Sequence, residues 1–124
     1  MPDNQQTILF VDDEEMLREI GEEMLTDLGY KPLLASDGKT AIEQYERHRD
    51  EIVLVILDMI MPNMNGEQAF ERLLEINPDI KVLISSGYSR DGQANSIIEQ
   101  GKCGFLQKPY DYDDMSEKID WILS

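Results

Sequence analysis

Six consecutive apolar residues, Ile52-Val-Leu-Val-Ile-Leu57, stop abruptly on Asp58, and Met59-Ile-Met-Pro-Asn-Met-Asn-Gly66 follows. Two valines and two isoleucines in so short a run, closed by Pro and Gly signals, predict a strand buried on both faces. Strands of that kind occur in parallel sheets covered by helices on either side. Asp58 is then the C-terminal tip of a central strand, at the edge where the loops of an open parallel sheet diverge and leave a crevice for ligands. A single acid at a strand end more often serves a loop, by accepting backbone N–H bonds. The functional weight of Asp58 therefore depends on which other polar residues reach the same edge.

Thr7-Ile-Leu-Phe-Val11 is a second buried run, and it too ends on acids: Asp12, Asp13, Glu14 and Glu15. Leu17, Ile20, Met24 and Leu28 then fall at helical spacing, with Gly29 as a C-terminal stop. Lys31-Pro-Leu-Leu-Ala35 is a weaker strand, whose Pro belongs at its start or on a sheet edge. Asp37-Gly38 opens a helix with Ala41, Ile42 and Tyr45 inward, and His48 lies on its polar exit as a solvated side chain. Ala69, Phe70, Leu73 and Leu74 make a third helical stripe, closed by Asn77-Pro78. Ile80–Ser85 is a fourth strand running into Ser86-Gly87. A weak helix over 91–100 buries only Ala94, Ile97 and Ile98. Gly104–Gln107 is a short fifth strand before Lys108-Pro109, and Asp111 caps a last helix with Met115, Ile119 and Ile122 inward and Trp121 at its flank.

Five strands alternating with five helical stripes predict an α/β fold, a flavodoxin-like doubly wound five-stranded parallel sheet. Right-handed crossovers cover both faces if the strand order is 2-1-3-4-5, with the first and last helices on one side and the middle three on the other. Strands one and three are then central neighbours. A chain of 124 residues is one ordinary domain, here a polar tail over 1–6 and a folded unit over 7–124. Eleven basic against twenty-six acidic side chains give a net charge of -15, which disfavours direct nucleic-acid contact. No apolar run is long enough to span a bilayer and the first residues carry no signal pattern, so a cytoplasmic location without membrane contact is expected. The single cysteine, Cys103, excludes an intramolecular disulfide and a thiolate metal cage.

In that topology Asp12, Asp13 and Asp58 converge at one end of adjacent strands, and Ser86 and Lys108 arrive at the same end of strands four and five. Three carboxylates in a small crevice repel one another unless a cation offsets them. An all-oxygen donor set with open positions suits Mg²⁺, with Mn²⁺ as an alternative ion. A lysine and a hydroxyl beside carboxylate-bound Mg²⁺ are what phosphoryl transfer requires, and a carboxylate can be the nucleophile.

Asp12-Asp13, Asp58-Met-Ile-Met-Pro-Asn-Met-Asn-Gly66, Ser86-Gly87 and Lys108-Pro109 together resemble the motif set of bacterial response-regulator receiver domains, over essentially residues 7 to 123. The resemblance implies that Asp58 accepts the phosphoryl group, that Asp13 and Asp58 bind Mg²⁺ with the backbone carbonyl of Ile60, and that Asp12 acts largely through water. It implies further that Lys108 pairs with the phosphoryl group and that Ser86, taken over Ser85 because the small Gly87 follows it, moves to bond it while Phe105 swings inward as the aromatic switch. The donor is then a sensor histidine kinase or a histidine phosphotransfer domain, and the output a contact with a downstream protein. The wording around Ser86-Gly-Tyr-Ser89 and Phe105–Tyr110 is similar to receivers attached to hybrid histidine kinases.

Serine stands where threonine is more frequent in that family, which keeps the hydroxyl and loses methyl packing. Ile60 and Tyr88 occupy the places whose side chains border the path of the hydrolytic water, so slow self-dephosphorylation is expected. An Ile60→Asn variant should lose its phosphoryl group faster than the parent; loss no slower in the parent would count against this. Haloacid-dehalogenase-like phosphatases also phosphorylate a strand-end Asp, but they need an acid two residues later, where this chain has Ile60. A flavodoxin-type cofactor loop would be repelled by Asp12-Asp13-Glu14-Glu15. An interaction module that had lost phosphorylation would have no need of the intact acids, hydroxyl and lysine.

Overall fold

The structure is a computed structural model that describes residues 6–59, 66–86, 103–108 and 110–123, with only the backbone of Gly66, Glu67 and Ser86. The elements are β1 (Thr7–Val11), α1 (Glu15–Asp27), β2 (Lys31–Ala35), α2 (Gly38–His48), β3 (Ile52–Asp58), α3 (Gly66–Ile76), β4 (Val82–Ser86), β5 (Cys103–Gln107) and α4 (Tyr112–Leu123). The strands pair in parallel in the order β2-β1-β3-β4-β5, as the hydropathy pattern predicts. The helix expected over 91–100 lies outside the described residues. Pro32 is on an edge strand, where its missing N–H costs no ladder bond.

Alternation along each strand feeds two cores. Leu9, Val11, Val55, Leu57, Val82 and Ile84 face Ala41 and Tyr45 of α2 and Ala69, Phe70 and Leu73 of α3. Ile8, Phe10, Leu54, Ile56, Leu83 and Leu106 face Leu25 of α1 and Met115, Ile119 and Ile122 of α4. The first and last helices therefore share one face and the middle helices the other, which is the handedness rule at work. Extending the alternation by one step places Asp12, Asp58 and Ser85 on the face covered by α1 and α4.

The inward stripe of α1 differs from the one its hydropathy suggests. Gly21 and Leu25 are buried, whereas Ile20 is 37% exposed. Glycine adds nothing to a hydropathy pattern, yet at position 21 it lets the helix backbone rest on the Phe10 ring: a Cβ there would lie 2.6 Å from Phe10 Cζ. The helix ends in a Schellman motif. Gly29 has φ 95°, Tyr30 N–H donates to the Leu25 carbonyl at 2.9 Å and Gly29 N–H to the Thr26 carbonyl at 3.0 Å.

Capping fixes the starts of α2 and α4. Asp111 Oδ1 accepts from Asp114 N–H at 2.8 Å while Asp114 Oδ2 accepts from Asp111 N–H at 3.1 Å, a reciprocal cap for α4. Asp37 Oδ1 accepts from Thr40 N–H at 2.7 Å, and that bond holds the Asp37 carboxyl below its usual pKa. Asp37→Ala should cost about 1 kcal/mol in urea unfolding at neutral pH. Because the folded pKa is lowered, the contribution is present above the usual carboxylate value and is lost as pH falls through the folded one. The gap between parent and variant should close over that acidic window.

Candidate functional site

The C-terminal ends of β1 and β3 deliver the acids. Asp12 and Asp58 are buried, at 1% and 4% exposure, while Asp13 at the approach to α1 is exposed. One carboxylate oxygen from each of the three lies within 4.8 Å of the others. Local bonds fix the first of them: Asp12 Oδ1 accepts from Glu14 N–H at 2.9 Å, and Arg18 Nη1 donates to the Asp12 carbonyl at 2.8 Å. On β3, Met59 N–H donates to the Ser85 carbonyl at 3.0 Å, which ties the end of the strand carrying Asp58 to β4.

Lys108, just beyond β5, reaches across to this cluster. Its Nζ is 2.9 Å from Asp12 Oδ2 and 3.4 Å from Asp58 Oδ1. Burial alone would lower the ammonium pKa, but the bond to Asp12 and the charges of Asp58 and Asp12 outweigh it and hold the value above that of free lysine. Lys108 therefore stays charged throughout the neutral range. Among the described residues, Lys108 and the Arg18 guanidinium at the Asp12 carbonyl face three carboxylates, which still leaves an excess of negative charge, held by an all-oxygen donor set with one member open to solvent. That set fits a hard divalent cation that keeps some of its water.

Of the residues singled out by sequence, Asp12, Asp13, Asp58 and Lys108 come together. Phe105 is half-buried on β5, packed against the core under α2 and α3. Ser86 ends β4, with a side chain outside the described residues, and Ile60 is outside them altogether. Cys103 begins β5, buried, with its thiol pushed up to about 12 by burial, so it carries no thiolate at neutral pH. His48 pairs with Glu51 at 3.3 Å, well away on the surface.

Comparison with known proteins decides the family. The model of the response regulator receiver domain matches residues 8–120. The chain belongs to the response regulator receiver domain family. Among relatives of this receiver, the sensor kinase CckA of Brucella abortus is 33% identical over 94% of the chain and 12% of its own length. The chemotaxis protein CheY of Thermotoga maritima is 28% identical over 93% of the chain and 95% of its own length. The structure of the response regulator TrrA of Thermotoga maritima, in complex with Mg(2+)-BeF, superposes with a TM-score of 0.84 at 26% identity, covering 95% of this chain and 99% of that one. The receiver thus spans a small part of some relatives and nearly all of others.

As a receiver the chain is a phosphoacceptor of two-component signalling, and the pocket of Asp12, Asp13 and Asp58 fits acyl-phosphate formation with Mg²⁺. Its relatives include both sensor kinases and response regulators. Among the described residues, no helix is long and apolar enough to cross a membrane.

Two residues at the site, Arg18 and Tyr110, carry no signal in the sequence pattern, and the cue of Gly87 turns attention from Ser85 to Ser86. Arg18 looks like one more charge on α1 until its bond to the Asp12 carbonyl is seen. Ser85 continues the apolar run of β4, and its pairing with Asp58 across β3 and β4 puts it beside the acids, while Tyr110 follows Lys108-Pro109 in a polar stretch.

Proposed function

We propose that the chain receives a phosphoryl group on Asp58 from the phosphohistidine of a sensor histidine kinase or a histidine phosphotransfer domain. The observation that carries this reading is the Lys108 ammonium, set 2.9 Å and 3.4 Å from two buried carboxylates at adjacent strand tips, with a third acid within 4.8 Å. An oxygen of Asp58 attacks phosphorus, the P–N bond of the donor breaks, and the leaving imidazole takes up a proton. Lys108 offsets charge on the phosphoryl oxygens as it transfers. Asp12, Asp13, Asp58 and the backbone carbonyl of Ile60 would hold Mg²⁺, which supplies charge neutralisation to phosphoryl oxygens when bound.

The Ser86 hydroxyl then bonds the phosphoryl group and Phe105 turns inward, shifting an equilibrium between inactive and active forms. The resulting surface change is read by a downstream protein. The protein is a signalling switch that catalyses its own phosphorylation without turning over a substrate. Residues 7–124 form the receiver, which works in the cytoplasm, and the similarity of its motifs to those of hybrid kinases makes such a kinase one setting for it. TrrA with Mg(2+)-BeF supports the metal assignment, since a beryllium fluoride group resembles a phosphoryl group in charge and shape.

Incubation with Mg²⁺ and acetyl phosphate, followed by intact-mass measurement, tests this. The parent should gain one phosphoryl mass, whereas Asp58→Asn and parent in chelator should not. An equal gain in Asp58→Asn would overturn the assignment.

A further inference from the structure

Tyr110 follows Lys108 by two positions and has no part in the chemistry described so far. It packs against the core under α1 and α4, which contains Leu106 and Met115. Asp12, Asp58 and Ser85 point to the same face, with Asp58 and Ser85 lateral partners on β3 and β4. Tyr110 therefore packs on the face of the sheet that carries this row of polar side chains.

Burial, more than anything else, raises the Tyr110 pKa; the charges of Asp12 and Asp58 add to the rise and the Ser85 hydroxyl opposes it. Ser85 is 2% exposed, and among the described residues its Oγ has no hydrogen-bond partner. The Ser85 hydroxyl is thus free to take a partner on the face where Tyr110 packs. An unpaired buried hydroxyl is costly, so a site that keeps one has a use for it in another state.

We propose that Tyr110, acting through Ser85, is a positioning residue of the phosphoryl-transfer site. The pair braces the buried flank of Asp12 and Asp58 while Lys108 turns from those carboxylates to the incoming phosphoryl group. An uncharged hydroxyl suits this place, since a further cation there would repel Mg²⁺. The inference rests on the reading of Asp58 as acceptor.

The test compares parent, Tyr110→Phe, Ser85→Ala and the double variant in phosphorylation by acetyl phosphate at saturating Mg²⁺. Near-ultraviolet tyrosine difference spectra on adding Mg²⁺ and beryllium fluoride provide a readout independent of turnover. Tyr110→Phe removes one oxygen and keeps the ring packed. The maximal rate should fall about tenfold in each single variant, with the apparent KM for acetyl phosphate changed by less than about threefold. The double variant should be no slower than the worse single one, because the two hydroxyls act as a unit. The tyrosine difference signal should be lost in Tyr110→Phe. A parent-like maximal rate in Tyr110→Phe, effects that multiply in the double variant, or an unchanged difference signal would overturn the proposal. A parent that accepts no phosphoryl group would instead overturn the assignment of Asp58.

Discussion

Asp58→Asn is expected to be more stable than the parent in chelator, by about 2 kcal/mol at an effective dielectric near 20. Among the described residues, Asp58 feels two carboxylates within 4.8 Å and one ammonium at 3.4 Å. At that dielectric each repulsion is at least about 3.5 kcal/mol and the attraction about 5 kcal/mol, so repulsion wins. Burial of the carboxylate acts in the same direction. The amide has nearly the shape of the carboxylate, so packing contributes little to the difference. Saturating Mg²⁺ should reverse the order by stabilising the parent and leaving the variant nearly unchanged. Urea unfolding with and without Mg²⁺ measures both. A variant less stable than the parent in chelator would mean that Lys108 already balances the cluster, and the need for a cation would lose its physical basis.

Ile56→Ala is expected to cost about 2–5 kcal/mol, a large fraction of the stability of a domain this size. Ile56 is fully buried on the central strand, in register with Phe10 of β1 and Leu83 of β4. Close packing around it on both sides leaves little room for collapse into the cavity. Asp58 lies two residues further along the same face, so phosphorylation per folded molecule separates two effects of the change. It should stay near the parent value if the strand end is held by its ladder, including the bond from Met59 N–H to the Ser85 carbonyl. Urea unfolding and phosphorylation in the cold, where the variant remains folded, check the two halves.

The sheet was legible because its strands are buried on both faces. Runs such as Ile8–Val11 and Ile52–Leu57 admit few other structures, and handedness then orders them. Helix faces were less legible. The inner side of α1 turns on Gly21, whose contribution is an absent side chain against Phe10, and hydropathy has no means of registering it. The acids and the lysine could be read because charged residues at the ends of apolar runs stand out. Ser85 and Tyr110 could not, since a serine in a strand and a tyrosine after a proline look ordinary until register and packing bring them to Asp58. Gly87 favours Ser86 over Ser85 as the switch hydroxyl, a local cue that says nothing of where either side chain points.

The identity of the phosphorylated atom is the point on which all the chemistry turns. After reaction with acetyl phosphate and Mg²⁺, borohydride reduces an acyl phosphate to an alcohol and leaves phosphate esters of Ser or Tyr intact. Peptide mass mapping should then find homoserine at position 58 and at no other acid. Reduction at Asp12 or Asp13, or phosphate surviving on Ser85, Ser86 or Tyr110, would contradict the account.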